Sequence, residues 1–342
     1  MRSLRGVFTL CVLVSLGACQ NLRPSQMPQW NASEAHDFGA TYVAFSPDGL
    51  RLASGGFTGT VKIWQIESGK LLSSHQLHAS AIRGLKWIDQ NQILSMSESG
   101  QLKIWDVATS KLIQQRLVEK ITASAFMDEN KQGPTNLRSE VDEHNAQTVL
   151  IGHADGLVQR IRVPELNTVA QWRAPRHIYA LAIKPDSGEI AAATRAGEVY
   201  LFKPDLTRPV VLAQNVGRVY ELRFNPKSQE LAAATWFHLV VWDLATQQSR
   251  IVKTEHLGAI VSIDYHPQGR ELVSLGRHTD ANLRLIDPKN GVVQRRLAAH
   301  QLCGWHVRFS KDGRFIASAS EDESVRIYNN AIEYVPTWKQ PN

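Results

Sequence analysis

Four histidines recur at equivalent places in the sequence, and such side chains can transfer protons or bind a metal ion. Each lies nine residues before an aromatic residue that closes an apolar–x–aromatic triplet; they are His36, His78, His256 and His300. Turn aspartates that could pair with histidines also occur; they are Asp155, Asp280 and Asp322. Because the histidines occur once per repeat and do not cluster, we interpret them as buried hydrogen-bonding groups rather than catalytic or metal-binding residues.

Catalytic signatures are missing from the sequence. It contains no glycine-rich phosphate loop, no nucleophile elbow and no paired metal-ligand motif. The net charge of +6 is modest and evenly spread, with no basic run that contains aromatic residues, which argues against a nucleic-acid partner. We therefore predict a protein that is not an enzyme and that has no cofactor and no metal site.

The N-terminal segment has the features of an export signal. Arg2 and Arg5 precede an uncharged apolar run of about ten residues, Val7 to Leu16, which is shorter than the roughly 20 residues of a membrane-spanning helix. The run leads into Leu16-Gly17-Ala18-Cys19, which resembles the lipobox of bacterial lipoproteins. This resemblance implies cleavage after residue 18 and a lipid on Cys19. Cys11 would leave with the signal, and Cys303 would then have no disulfide partner within the chain.

A repeat of about 41 residues organises the rest of the chain. Seven short alternating runs end in a large apolar or aromatic residue, which an aspartate follows in three of them, and the large residues are 41, 56, 41, 40, 44 and 42 positions apart. The runs are Val61–Trp64, Leu102–Asp106, Val158–Ile161, Val199–Phe202, Val240–Asp243, Leu283–Asp287 and Val325–Tyr328. The period is that of a four-stranded propeller blade, so we predict an all-β, seven-bladed β-propeller.

Turn signals support this prediction and carry a family resemblance. Ser46-Pro47-Asp48-Gly49 and Ser310-Lys311-Asp312-Gly313 follow an apolar–x–aromatic triplet, as expected for hairpin corners. These motifs and the runs resemble the WD-repeat family over about residues 36 to 330. The resemblance implies a structural tetrad of histidine, serine or threonine, aspartate and tryptophan in each blade. The tetrad-like residues are His36, His78, His256, His300, Asp155, Asp280, Asp322, Trp64, Trp105 and Trp242.

The repeat also predicts how the ring closes. His36 aligns with His78, so residues 28–35 occupy the place of an outermost strand, and we expect this strand to complete blade seven. The predicted organisation is a lipoprotein signal peptide (1–18), a lipidated tether (19–27), the propeller (28–335) and a tail (336–342). A polar insertion at about 128–147 lies between the first two strands of blade three. We interpret it as a surface loop, with partner binding as the alternative.

A ring of residues at one mouth of the channel is the candidate binding surface. Two positions before the first apolar residue of each innermost strand, the blades carry Thr41, Arg83, Thr122, Tyr179, Tyr220, Val261 and Trp305. Tyrosine, tryptophan and arginine dominate interface hot spots. We therefore predict a partner-binding surface, and its residues are Arg83, Tyr179, Tyr220, Trp305, Arg176, Arg218 and Trp236, with His177 nearby.

Two hypotheses for function follow. In the first, the chain is a non-catalytic protein–protein interaction scaffold that a lipid anchors at the bacterial cell envelope. It faces the periplasm, sits at the outer membrane if the host has two membranes, is monomeric and binds other envelope proteins. In the alternative, it is a small-ligand-binding or hydrolytic propeller, in which Lys86, Arg223 and Arg308 meet Asp264 at the channel mouth.

Overall fold

The computed structural model describes residues 25–118, 121–126, 148–277 and 280–330. They form seven antiparallel sheets of four strands each, so the predicted seven-bladed propeller is confirmed. The predicted signal peptide, Cys19, the insertion at 128–147 and the tail lie outside the described residues. No helix in the described part is long and apolar enough to cross a membrane.

Blades one to four follow one another along the chain, each from its innermost to its outermost strand. Blade one contains β2 (Ala40–Phe45), β3 (Arg51–Gly56), β4 (Thr60–Gln65) and β5 (Leu71–Gln76). Blade two contains β6 (Ile82–Trp87), β7 (Gln92–Ser97), β8 (Gln101–Asp106) and β9 (Leu112–Leu117). Blade three contains β10 (Ile121–Phe126), β11 (Thr148–His153), β12 (Leu157–Arg162) and β13 (Asn167–Arg173). Blade four contains β14 (Ile178–Ile183), β15 (Ile190–Thr194), β16 (Val199–Phe202) and β17 (Val210–Ala213).

Blades five to seven complete the ring. Blade five contains β18 (Glu221–Phe224), β19 (Glu230–Ala234), β20 (His238–Asp243) and β21 (Ser249–Lys253). Blade six contains β22 (Ile260–Tyr265), β23 (Leu272–Gly276), β24 (Leu283–Ile286) and β25 (Val293–Leu297). Blade seven contains β26 (Gly304–Phe309), β27 (Phe315–Ser320), β28 (Val325–Asn329) and β1 (Trp30–Ala32). The innermost strands contact one another in succession, and β26 contacts β2.

The core lies between neighbouring blades. One cluster joins Ala53 and Ile63 of blade one to Ile82, Trp87 and Trp105 of blade two. The second strands are buried almost throughout, because two neighbouring sheets cover them. A β-carbon on Gly55 would lie only 2.5 Å from Ile82, so this glycine lets blade two approach blade one closely.

The hairpin corners form as predicted. Ser46 Oγ donates a hydrogen bond to Asp48 Oδ1 at 2.5 Å, and Asp48 also accepts the backbone N–H of Leu50 at 2.9 Å. Gly49 has a φ of 70°, which glycine adopts without steric cost. The equivalent corner of blade seven repeats the bond, from Ser310 Oγ to Asp312 Oδ1 at 2.7 Å.

The N-terminal strand closes the ring, as the repeat alignment predicts. β1 pairs with β28, with Trp30 opposite Ile327 and Ala32 opposite Val325. The Trp30 indole N–H donates to the backbone oxygen of Ile66 in blade one at 2.6 Å, so this residue joins blade seven to blade one. The strand is shorter than the predicted slot of residues 28–35.

The described chain is bonded to the propeller before this strand begins. The Gln26 N–H donates to the Arg296 oxygen at 2.8 Å, and the Ala298 N–H donates to the Gln26 oxygen at 2.9 Å. Gln26 therefore lies beside β25, the outermost strand of blade six. The tether predicted for residues 19–27 is too long at its C-terminal end, because main-chain pairing along β25 holds Gln26.

Candidate functional site

One end of the central channel collects the residues that the sequence predicts to bind a partner. The innermost strand of each blade begins at this end, and the turn from the second to the third strand returns to it, because neighbouring strands are antiparallel. We call this end the top face; it consists of those turns and of the segments that precede the innermost strands. β10 ends and β11 begins at the opposite end of the channel.

A cavity of about 490 Å³ opens in the channel at the top face. Five of the seven predicted binding residues line it; they are Arg83, Tyr179, Arg218, Tyr220 and Trp305. Arg176 and Trp236 are not part of this lining. The lining also includes charged and titratable residues that sequence reasoning did not single out, among them Glu98, Glu221, Arg277 and His306. Thr122 lies outside the part of the chain whose side chains are described.

Blades four and five contribute a group of aromatic residues around one arginine. We call Tyr179, Arg218, Tyr220, Trp236 and Phe237 the Arg218 cluster. The guanidinium carbon of Arg218 lies 4.4 Å from the Tyr179 ring centroid and 4.8 Å from that of Tyr220. The Tyr220 ring is 6.4 Å from the Trp236 ring, and Trp236 is 5.6 Å from Phe237. The cluster is thus a continuous aromatic surface with a cation inside it.

The turn between β19 and β20 presents the two outer rings of this cluster. The Phe237 N–H donates to the Gly258 oxygen at 2.9 Å, and Trp236 pairs with Ala259 in an antiparallel bridge. Both bonds attach the turn to the segment before blade six. Phe237 has a φ of 67° and is 53% exposed. An aromatic residue in the left-handed region is uncommon. Phe237 therefore combines an exposed ring with a backbone conformation that is unfavourable for an aromatic residue.

A second group surrounds Trp305 on the other side of the mouth. We call Phe57, Arg83, Arg277, Trp305 and Glu321 the Trp305 cluster. The Trp305 ring lies 4.1 Å from the guanidinium carbon of Arg277 and 5.1 Å from that of Arg83. Phe57 meets the same ring edge to face at 5.4 Å. Contacts from three other blades therefore fix this tryptophan in place.

The arginines of the top face differ in their ion pairs. Arg83 pairs with Glu98 at 3.2 Å, Arg277 with Glu321 at 2.7 Å, and Arg176 with Glu198 at 3.7 Å. No carboxylate of the described residues pairs with Arg218, which is exposed. The pKa of His177 is lowered by burial and by the positive charges of Arg195 and Arg218. The mouth of the channel is therefore most positive beside blades four and five.

Inside the channel, opposite charges pair with one another. Glu221 Oε1 lies 2.6 Å from Arg308 Nη2 and 2.9 Å from Arg223 Nη2. Arg223 Nε lies 3.5 Å from Asp264 Oδ1, and Asp264 also accepts the Phe309 N–H at 2.8 Å. Of the contacts predicted for Asp264, the one with Arg223 forms, whereas Arg308 pairs with Glu221 instead. Lys86 lines a second cavity of about 280 Å³ toward the opposite end of the channel, and Arg223, Asp264 and Arg308 line the same cavity.

His306 is a buried channel residue without a proton-transfer role. Its ring stacks on Tyr42 with centroids 3.6 Å apart, and its Nδ1 accepts the Val43 N–H at 3.3 Å. Burial lowers the pKa of His306 to about 3. The ring is therefore neutral at physiological pH and joins blade seven to blade one.

The repeated histidines occupy the interior, as predicted. In blade one, Ser54 Oγ lies 2.7 Å from His36 Nε2 and accepts the Trp64 indole N–H at 2.7 Å. In blade six, His256 Nε2 lies 2.8 Å from Ser274 Oγ and its Nδ1 lies 2.9 Å from Asp280. These contacts hold a turn and two strands together, which is a structural role.

Blade seven repeats this arrangement around His300. Its Nε2 lies 2.8 Å from Ser318 Oγ, and its Nδ1 lies 3.1 Å from Asp322 Oδ2. Arg326 also binds Asp322, at 3.2 Å. Burial raises the pKa of Asp322, but the hydrogen bond and charge of His300 and the hydrogen bonds from Ser324 and the Gln301 N–H together lower it more, so the net shift is downward.

Three predicted tetrad residues have other contacts. Asp155 is exposed and pairs with Arg173 at 2.7 Å, because Leu117 stands where the histidine of blade three would be. Trp242 packs among apolar residues of blades four and five, beside Ala233 at the serine position. The Trp105 indole nitrogen has no hydrogen-bond partner among the described residues, so in blade two only His78 bonds to the serine, Ser95, at 2.8 Å.

No group of three or more potential metal-ligating side chains occurs in the described part of the chain.

The family model described as WD domain, G-beta repeat matches residues 31–65 and 291–329. Each match covers an outermost strand and the three inner strands of the blade after it, which explains why β1 completes blade seven.

Parts of the chain are similar to known proteins. The chain is 34% identical over 83 residues to the pre-rRNA-processing protein IPI3 of Mycosarcoma maydis, which is 24% of this chain and 14% of that protein. It is 33% identical over 127 residues to the small ribosomal subunit protein RACK1y of Oryza sativa subsp. japonica, which is 37% of this chain and 35% of that protein. The chain thus spans about a third or less of the length of these two relatives.

A chain in the crystal structure of the mitotic checkpoint complex has the same fold. The TM-score is 0.72 at 16% identity, over 90% of this chain and 95% of that chain. At this identity the likeness concerns the fold alone. The chain is therefore a seven-bladed β-propeller with four-stranded blades, and its first and last repeats match the WD domain, G-beta repeat family.

Proposed function

We propose that the chain is a non-catalytic interaction scaffold that binds protein partners through its top face. The observation that carries the proposal is the concentration of exposed aromatic and arginine side chains at this one end of the channel. Phe38, which is 78% exposed, lies on the same face as Trp236 and Phe237. Exposed apolar groups of this kind, with arginine beside them, are typical of interface hot spots.

Backbone strain at two exposed rings supports a binding role. Phe38 and Phe237 have φ values of 64° and 67°, a region in which a bulky residue is an outlier. Neither exposed ring gains the packing energy that a buried ring would. Strain of this kind, which costs on the order of 1–3 kcal/mol, is typical of functional positions.

The charged groups of the channel do not favour the alternative of a hydrolytic propeller. Glu221 and Asp264 are both bonded to arginines. The lone pairs of both carboxylates are engaged in these ion pairs. The two relatives named above are, by their names, a ribosomal subunit component and an rRNA-processing protein, which agrees with a scaffold role.

Replacement of Phe237 by glycine tests the proposal, because it removes the ring and relieves the backbone at once. We expect the unfolding free energy of Phe237→Gly to stay within about 1 kcal/mol of wild type. Capture of native envelope partners in a pulldown should fall at least tenfold. Leu50→Ala, at an exposed corner of the opposite face, is the control and should bind as wild type does. Undiminished capture by Phe237→Gly would contradict the proposal.

Anchoring by a lipid on Cys19 is the second part of the proposal. The tetrapeptide Leu16-Gly17-Ala18-Cys19 supports it, and Gln20 favours the outer membrane. Gln26 lies beside the outermost strand of blade six, so a tether that leaves from this rim keeps the top face open to envelope proteins. Several acyl chains, rather than one, make such an anchor stable.

Labelled palmitate tests the anchor. Wild type and Cys303→Ser should incorporate the label, whereas Cys19→Ser should not and should leave the membrane fraction. Equal labelling of Cys19→Ser and wild type would contradict the anchor while leaving the top-face proposal intact.

A further inference from the structure

Arg218 is held in one orientation before any partner arrives. Its guanidinium carbon lies 4.4 Å and 4.8 Å from the centroids of Tyr179 and Tyr220, and these two rings meet edge to face at 6.4 Å. A guanidinium presents five N–H donors in a planar fork that matches a carboxylate. Because contact with two rings already restricts the side chain, a carboxylate that binds it costs little further conformational entropy.

The charge of Arg218 is not neutralised within the described part of the chain. Its neighbours in the cavity, Arg83 and Arg277, each have a carboxylate partner, Glu98 and Glu321. Arg195 adds a second positive charge nearby. The pKa of His177 is lowered first by burial and then by the charges of Arg195 and Arg218. A negative group would therefore be attracted to this place in particular.

An apolar surface lies next to this positive charge. Trp236, 40% exposed, contacts Tyr220 at 6.4 Å, and the more exposed Phe237 lies beyond it. The turn that carries both is bonded to the segment before blade six, so its position is fixed. The complement of such a surface is an apolar side chain a few ångströms from a negative group.

We infer that the Arg218 cluster binds an acidic peptide segment of a partner protein. A glutamate or aspartate carboxylate pairs with Arg218, and a neighbouring apolar side chain packs on Trp236 and Phe237. The inference rests on the proposed function and names the chemistry of the partner. Two charge-assisted N–H···O bonds to one carboxylate give the contact its specificity.

Labelled peptides test this inference on the full chain. The probes are ten-residue peptides that contain one glutamate between two leucines or two phenylalanines, with matched peptides that carry glutamine or phosphoserine instead. We expect the glutamate peptides to bind and the glutamine peptides to bind at least tenfold more weakly. Arg218→Gln should abolish this preference, and 0.5 M salt should weaken binding. Arg314→Gln, at an exposed corner of the opposite face, is the control and should keep the preference.

Each other outcome overturns the inference. These outcomes are no binding of glutamate peptides, equal binding by Arg218→Gln, or a stronger preference for phosphoserine, which would indicate an anion of another class. The pulldown with Phe237→Gly separates this failure from failure of the proposed function. If Phe237→Gly loses native partners while Arg218→Gln keeps them, the top face binds proteins and only the acidic-peptide inference is wrong. Because Arg218 is exposed, its variants should melt with wild type, which is checked first.

Discussion

Trp305 donates its indole N–H to Glu321 Oε1 at 3.1 Å, and the same oxygen accepts a bond from Arg277 at 2.7 Å. The tryptophan is thus fixed by a hydrogen bond on its edge and by arginines at its face. From sequence alone, Trp305 and Tyr220 are equal candidates for partner contacts. In the structure, Trp305 also joins blades, so its loss has consequences for the fold.

We therefore predict that substitutions of Trp305 and Trp236, on two sides of the channel mouth, change the unfolding free energy by different amounts. Trp305→Phe keeps the stacking but removes the bond to Glu321, and the unfolding free energy should fall by about 1 kcal/mol. Trp305→Ala should cost about 2–3 kcal/mol, because packing is lost as well. Trp236→Ala should stay within about 1 kcal/mol of wild type. Urea unfolding measures all three, and a Trp305→Ala protein as stable as Trp236→Ala would contradict the role of Glu321.

Ring closure gives a second prediction. Removal of residues up to 32 deletes β1, exposes the edge of β28 and breaks the Trp30 bond to Ile66. We expect the unfolding free energy to fall by at least 3 kcal/mol, from lost packing and lost hydrogen bonds. Removal of residues 336–342 is the control and should cost less than 1 kcal/mol. If both truncations melt at the same temperature, β1 does not close the propeller.

The histidine contacts differ between blades, and serine variants should reveal this. Ser54 Oγ bonds to both His36 and Trp64, so Ser54→Ala leaves two buried groups without a partner. We expect a loss of about 2–4 kcal/mol. Ser95 Oγ bonds to His78 at 2.8 Å, and its contact with the Lys103 oxygen is long at 3.4 Å. Ser95→Ala should therefore cost about half as much, and an equal or larger cost would contradict the difference between these blades.

Acid should destabilise the propeller between pH 7 and pH 5. Burial lowers the pKa of His36 from 6.5 to about 3, that of His78 to about 4 and that of His306 to about 3. The unfolded chain therefore takes up protons in this range while the folded chain does not. Stability is fully present above pH 6.5 and is lost as the pH falls.

Each of these histidines should contribute a loss on the order of 2 kcal/mol at pH 5. Asp280 and Asp322 have lowered pKa values, so their contribution is lost only below about pH 4. Urea unfolding at pH 7, 6 and 5 measures the slope, and His306→Asn should flatten it. A stability that stays constant or rises on acidification would contradict burial of these rings in the neutral form.

The period of the sequence was sufficient to predict the fold and its closure. The spacing of the runs predicts seven blades, and the alignment of His36 with His78 predicts that β1 completes blade seven. Both follow from local patterns that repeat along the chain. The hairpin corners at Asp48 and Asp312 were predictable for the same reason, because proline, aspartate and glycine act within four residues.

The contacts of the candidate site depend on distant residues, and sequence predicted them only in part. Arg83, Tyr179, Tyr220 and Trp305 occupy equivalent positions of the repeat, and in the structure they line one cavity, as that equivalence predicts. It did not predict that Glu321 accepts a hydrogen bond from Trp305 or that Arg308 pairs with Glu221 rather than with Asp264. These partners come from strands and turns of other blades, and their pairing is decided by side-chain direction across the channel. Asp155 and Trp242 failed as tetrad residues because their blades lack the histidine.

Site-specific photo-crosslinking in cells of the native host tests the central claim most directly. A benzophenone amino acid replaces Phe237 or Leu257 on the top face, or Leu50 or Val292 on the opposite face. All four side chains are more than half exposed, at 53%, 74%, 65% and 57%. The account predicts crosslinks to a partner protein from the two top-face positions and none from the two opposite positions. Crosslinks from Leu50 and Val292 with none from Phe237 and Leu257 would show that the partner binds the other face.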